Sequence, residues 1–180
     1  MKKLSALFLL AAIIVVSGCG KLKEKRFSTT INHAFEVDIQ EDGELTIDLN
    51  NTITSLINEE LKEVKDKIKS YELVNIRYKI WEFWGAEPNL FDGSIGIGNM
   101  NSTSPGITLA LTDVDLRAGN DSPNLVTLNL NSLDKSKVEQ YFMDTNGLRL
   151  FLNGSVDQKP VHFKIQVTVD IDAIAEVKKK

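Results

Sequence analysis

The stretch Val161-His162-Phe163-Lys164-Ile165-Gln166-Val167-Thr168-Val169-Asp170-Ile171-Asp172 decides the fold class. Every odd-numbered position carries a branched aliphatic residue or phenylalanine, and every even-numbered one is polar or charged. Side chains on a strand point alternately to its two faces. A period of two held without a fault therefore predicts a strand with one face in a core and the other toward solvent. Half-buried strands of this kind belong to antiparallel sheets packed on one side. His162 falls on the polar face and is expected in solvent.

The same pattern recurs upstream. Phe27, Ile31, Phe35, Val37 and Ile39 share one parity, with polar residues between most of them. His33 lies on that apolar face, where a lone histidine is expected to pack and hydrogen-bond rather than ligate. Asp42-Gly43 is a hairpin-type turn signal. Leu45, Ile47 and Leu49 alternate next, then Val74, Ile76, Tyr78 and Ile80. Ile95 and Ile97 sit among Gly93, Gly96 and Gly98, a strand with little side-chain bulk. The glycine spacing is not that of a dinucleotide- or phosphate-binding loop, and no helical pattern follows. Ile107, Leu109 and Leu111 make a fifth strand, Leu125 to Leu130 a short sixth, and Leu148, Leu150 and Leu152 a seventh. Parity slips at Trp81 and again before Val114, and a one-residue slip predicts a β-bulge or a strand end.

Two segments switch to helical spacing. Ile53, Ile57, Leu61, Val64 and Ile68 fall on one face of a helix over 53–69, with Thr52 or Thr54 as its N-cap. Such a helix is expected to cover an open edge or end of a sheet. A short helix over 133–143 carries Leu133, Val138, Tyr141 and Phe142 and stops at Asn146-Gly147. Residues 117–124 read as a loop. The whole is mainly β: an antiparallel β-sandwich of about eight strands, with one amphipathic helix and one short helix. A closed barrel is the alternative.

The start of the chain has a different character. Lys2 and Lys3 precede a mostly apolar run from Leu4 to Val16, which ends in Val16-Ser17-Gly18-Cys19. A basic region, a short apolar run and a small-residue stop make a secretory signal peptide, and the run is shorter than the roughly 20 residues that span a bilayer. Its last four residues resemble the lipobox of bacterial lipoproteins. The resemblance implies diacylglycerol on the Cys19 sulfur and cleavage before Cys19, often with acylation of the new N-terminus. It divides the chain into a signal peptide (1–18), a lipidated tether (19–26) and one β-sandwich domain (27–180). Cys19 is the only cysteine, so no intramolecular disulfide and no cysteine-based metal site is available. In Gram-negative members of that family an Asp after the Cys retains the protein at the inner membrane. Gly20 in that place implies the outer membrane, or the outer face of the plasma membrane in a Gram-positive cell.

The chain has a formal charge of −4, and loss of Lys2 and Lys3 with the leader leaves −6. That balance argues against a nucleic-acid partner, which requires a basic surface. Basic residues gather near the two ends, at Lys21, Lys23, Lys25 and Arg26 and at Lys178, Lys179 and Lys180. No GxSxG or HExxH motif is present, and no catalytic, cofactor or metal residue is assigned. Asp113, Asp115, Asn120 and Asp121 are rich in oxygen but lack EF-hand spacing. The aromatic cluster Trp81, Phe83, Trp84 and Phe91 brackets the loop 85–90. It reads either as core and edge packing or as an exposed platform for a sugar ring or protein partner, bordered by Glu87, Asn89 and Asp92. On strict alternation Trp81 and Phe83 share one face and Trp84 takes the other. These features point to a lipid-anchored envelope lipoprotein with a non-enzymatic binding or accessory role, held to the membrane through acyl chains on Cys19, with an envelope glycan or protein as partner. The alternative is an envelope-glycan hydrolase whose carboxylate pair is assembled by the fold.

Overall fold

The computed structural model describes residues 22–41 and 43–178. Cys19 and the leader before it lie outside the described residues. Eight strands follow one another: β1 (Leu22–Ile39), β2 (Thr46–Thr54), β3 (Ile68–Gly85), β4 (Leu90–Asn99), β5 (Ile107–Asp115), β6 (Val126–Thr127), β7 (Gly147–Val156) and β8 (Val161–Lys178). Helices α1 (Glu59–Glu63), α2 (Leu116–Asp121) and α3 (Ser132–Thr145) lie in the connections.

The strands form two four-stranded sheets, ordered β1-β8-β3-β6 and β2-β7-β4-β5. All pairings are antiparallel. β4 pairs with β5, β3 with β6, β2 with β7 and β1 with β8, so the chain is one long hairpin bent between β4 and β5 and rolled on itself. Rolling adds the pairings β8–β3 and β7–β4. This is the strand order of a jelly-roll sandwich, with two open sheets and no closed barrel.

The odd-numbered face of β8 sits in the centre of the core. Val161, Phe163, Ile165, Val167 and Val169 are fully buried, together with Leu148, Leu150 and Leu152 of β7 and Phe91, Ile95 and Ile97 of β4. Each such side chain contributes roughly 1.5–3 kcal/mol by leaving water. The even-numbered face is bound into a polar ladder with its neighbours. Arg26 reaches Asp172 and Glu72 at 2.7 Å each, Asp170 accepts from Thr30 at 2.7 Å and from Arg77 at 2.6 Å, and Thr168 donates to Asn32 at 2.7 Å. β8 is central in its sheet, so flanking side chains shade this face, and His162 is half-buried rather than free in solvent. His33 is half-buried on the inner face, edge-on to the Phe35 ring at 4.7 Å, and burial lowers its pKa.

The glycines of β4 are explained by what lies over them. A Cβ on Gly96 would stand 2.7 Å from Pro105 Cβ and 3.1 Å from Phe151 Cβ. The bare backbone lets the 100–106 connection fold back over the outside of the second sheet. That cover leaves Phe151 buried although it points away from the core side of β7.

Several expectations change. Residues 22–26, assigned to a tether, are the first residues of β1 and pair with 174–178 of β8. Both of their faces are exposed, so no apolar alternation marks them. The helix over 53–69 is broken into a 3-10 turn (Ser55–Ile57), α1 and a second 3-10 turn (Lys65–Lys67). Ile53 belongs to β2 and Ile68 to β3. Thr54 and Asn58 each accept a cap bond, from Leu56 N and Leu61 N, so the helical path restarts within four residues. The segment still covers an edge, since Asn58 donates to Ser28 O and Lys25 pairs with Glu60 beside β1. Val74, expected inside, is 50% exposed because it is the extra residue of a bulge between Leu73 and Asn75. The expected loop 117–124 opens with α2, capped by Asp115. The helix of 133–143 runs over Ser132–Thr145 and ends on Asn146 in the left-handed conformation (φ 56°), its N–H bonded to Phe142 O at 2.7 Å.

The strand register makes a sharp prediction. Ile165→Asp places a carboxylate in the core and costs more than about 3 kcal/mol. Ala34→Asp, across the β1–β8 pair on the outer face, changes stability by less than about 1 kcal/mol. Urea melts of the two variants check the difference.

Candidate functional site

β3 carries three bulges, and the last decides which aromatic faces where. Trp81 lies opposite Lys164 and Trp84 opposite His162, so three steps on β3 match two on β8. The extra residue exchanges the two faces beyond it. Phe83 turns into the core at 8% exposure, and Trp84 turns out at 60%. Trp81 and Trp84 therefore share the outer side of the sheet. This corrects the strict alternation that paired Trp81 with Phe83.

The bulge is strained and held. Glu82 has φ 53°, a left-handed conformation that costs a non-glycine residue roughly 1–3 kcal/mol. Its carboxylate pairs with Lys164 Nζ at 2.7 Å, and this bond holds the Lys164 ammonium above its ordinary pKa. Lys164 also lies over the Trp81 ring at 5.1 Å, with Lys79 at 5.8 Å. From the far side, Asn120 of α2 accepts the Phe83 N–H at 2.9 Å. Arg117 of α2 covers the Phe83 ring at 5.2 Å.

The five residues singled out in the sequence have separate positions. Trp81 is half-buried between Lys79 and Lys164. Trp84 stands exposed beside a shallow depression of about 550 Å³ lined also by Gln40, Glu41 and Pro160. Glu87 is exposed and paired with Arg117. Asn89 is 1% exposed, and its amide donates to Gln158 O at 2.9 Å and accepts from Gln158 N at 3.4 Å. It ties the β3–β4 loop to the β7–β8 turn. Asp92 sits on the other sheet, where it accepts from Asp113 N at 2.8 Å across the β5 bulge. The fold thus gathers Trp84 with Gln40, Glu41 and Pro160, and it puts Asn89 and Asp92 to work inside the scaffold.

The remaining acidic cluster is likewise engaged. Asp115 accepts from Ala118 N at 2.9 Å as a helix cap, and Asn120 donates to Asp121 at 3.0 Å. Among the described residues no group of three or more His, Cys, Asp or Glu side chains is placed to hold a metal ion. At the opposite end of β8, Lys23, Lys25, Lys178, Glu60 and Glu63 surround a second depression of about 570 Å³ floored by Phe27, Val64 and Val177.

No protein-family model matches the chain, and no curated protein matches it. Solved structures do. The chain is similar to Desmodium yellow mottle tymovirus, at 12% identity over 89% of this chain and 85% of that one, with a TM-score of 0.36. Turnip yellow mosaic virus matches at 10% identity over 87% and 98%, with a TM-score of 0.37. Infectious bursal disease virus strain Gx matches at 12% identity over 88% of this chain and 36% of that one, with a TM-score of 0.36.

The two indoles, the chain's only tryptophans, are separable by fluorescence. Trp84→Phe removes the red-shifted, acrylamide-quenched part of the emission, and Trp81→Phe leaves it. Equal quenching of the two single-tryptophan variants would contradict the bulge.

Proposed function

We propose that this chain is a lipid-anchored cell-envelope protein, acylated on Cys19, whose β-sandwich serves as a non-enzymatic binding or accessory module. The observation that carries the reading is the Val16-Ser17-Gly18-Cys19 stop directly after a basic and apolar leader. The domain geometry supports it. β1 is already formed at Leu22, three positions after Cys19 in the sequence. Acyl chains contribute about 0.8 kcal/mol per buried CH₂, and two or three together hold a protein firmly. Lys23, Lys25 and Lys178 lie at this end of the sandwich, where anionic headgroups would meet them.

A binding role is supported by the exposed indole at Trp84, set on a rigid sheet. Of the acids that border the aromatic cluster in sequence, Glu87 is paired with Arg117 and Asp92 with the β5 backbone. Gly20 in place of the retention Asp supports the outer membrane in a Gram-negative cell, and the same anchor would hold the protein at the outer face of the plasma membrane in a Gram-positive one.

Growth with radiolabelled fatty acid tests the anchor. The wild type takes up label and fractionates with membranes. Cys19→Ser takes up none and keeps its leader uncleaved by the lipoprotein route. Equal labelling of the two proteins would overturn the reading.

A further inference from the structure

We propose that the depression beside Trp84 is a stacking site for a neutral, equatorially linked hexopyranose unit of an envelope glycan. The proposal deepens the binding-module reading and rests on it for its setting. Four observations carry it.

The first is the exchange of faces. Without the extra residue at Glu82, strand parity would send Trp84 inward and Phe83 outward. The chain instead adopts a left-handed backbone at a non-glycine position, and the result is an indole standing in water. Bulges that re-aim a side chain concentrate beside binding and active sites.

The second is that the walls are pinned. Lys159 Nζ donates to Gly43 O at 2.8 Å, Gln158 Nε2 donates to Pro88 O at 2.7 Å, and the buried Asn89 holds Gln158. A Cβ on Gly85 would stand 2.9 Å from Pro160 O, so the residue after Trp84 lets the two turns close together. The platform is therefore preformed, which limits the ordering that binding requires.

The third is chemistry. The lining joins one flat aromatic face and a proline ring to an amide, Gln40, and a carboxylate, Glu41. A pyranose ring with equatorial substituents has the complementary surface: axial C–H groups on its face and hydroxyls at its edge. A protein partner of ordinary size would cover about 800 Å² on this side and centre on a cluster of buried anchors rather than one indole. Leu22, Ile57, Val74 and Val126 lie on other parts of the fold, and Leu45, 37% exposed, is the one other large exposed apolar side chain that follows the Gly43 turn. Glu41 and the chain's net negative charge select against anionic polymers.

The fourth is position. Trp84 pairs with His162 near one end of β8, and Leu22 pairs with Lys178 at the other. At about 3.4 Å per residue the two ends stand about 50 Å apart. An anchor at Cys19 leaves the Trp84 end facing away from the bilayer, toward the glycan layer.

The test uses the detergent-extracted full chain and a β-1,4-linked N-acetylglucosamine tetrasaccharide as probe. In the Trp81→Phe protein, whose only indole is Trp84, titration should shift the emission to the blue and protect it from acrylamide in a saturable way. By calorimetry on the otherwise wild-type chain, Trp84→Ala should weaken binding about tenfold or more, while its melting temperature stays unchanged. An α-1,4-linked glucose tetrasaccharide, whose chain curves, should bind more weakly. No saturable binding of the β-linked probe, or equal binding by Trp84→Ala, overturns the proposal. Such a failure leaves fatty-acid labelling of Cys19 untouched, so loss of the site and loss of the anchor are told apart.

Discussion

The burial of β8 on one face, with a partner on each side, governs the rest of the molecule. Its apolar side chains leave water only if a second sheet covers them. Its backbone is satisfied only if strands flank it. β1 flanks the whole strand and β3 flanks it from Val161 to Ala175, and β7 and β4 bring fully buried side chains opposite. β1 and β8 come from the two ends of the described chain, so their pairing closes the roll. Outside, the same geometry aligns Arg26, Thr30, Asn32 and Arg77 with the acids and hydroxyl of β8, which is why a strand rich in charged and polar residues is stable at the middle of a sheet. Exposed pairs of this kind contribute little each, but paired partners remove the cost of shading lone charges.

Departures from regular pairing are concentrated in β3. Three bulges in one strand raise its twist and change its parity. The last has ties on both flanks: Glu82 to Lys164 on β8, and Phe83 N–H to Asn120 on α2. Neither tie is local in sequence. The exposed indole is therefore a product of tertiary structure, and a strained backbone there persists because the surrounding bonds fix it.

Much of the architecture was legible because each long strand is half-buried, and half-burial writes itself as alternation. Seven of the strands and the fault at Trp81, read as a bulge or a strand end, come from parity, whereas β6 is two residues long and carries no alternation. What parity misses has physical causes. Residues 22–26 are exposed on both faces and carry no pattern. Ile53 and Ile68 match a helical period by coincidence, each buried or packed as a strand residue. The site was half legible. Trp84 stood out as an aromatic at a parity fault, but Gln40, Glu41 and Pro160 join it through the order β1-β8-β3, which depends on pairings distant in sequence, Ile39 with Val161 and Trp84 with His162. Asn89, a polar residue in a loop, looks like a ligand contact in sequence and is a buried loop tie in the fold.

In the arrangement proposed above, the sandwich would stand on a Cys19 anchor with β1 and β8 running outward and the Trp84 end farthest from the lipid. Cys19 is the chain's single cysteine, so under the proposed acylation an introduced cysteine would be the only free thiol. Nitroxide labels at Lys23→Cys and Asp38→Cys, at opposite ends of β1, report this directly in vesicles bearing a nickel-chelating headgroup. Relaxation by the headgroup nickel should be strong at position 23 and absent at position 38, about 50 Å farther along the strand. Equal relaxation at both positions would mean that the sandwich lies flat on the membrane, and would rule out the upright arrangement.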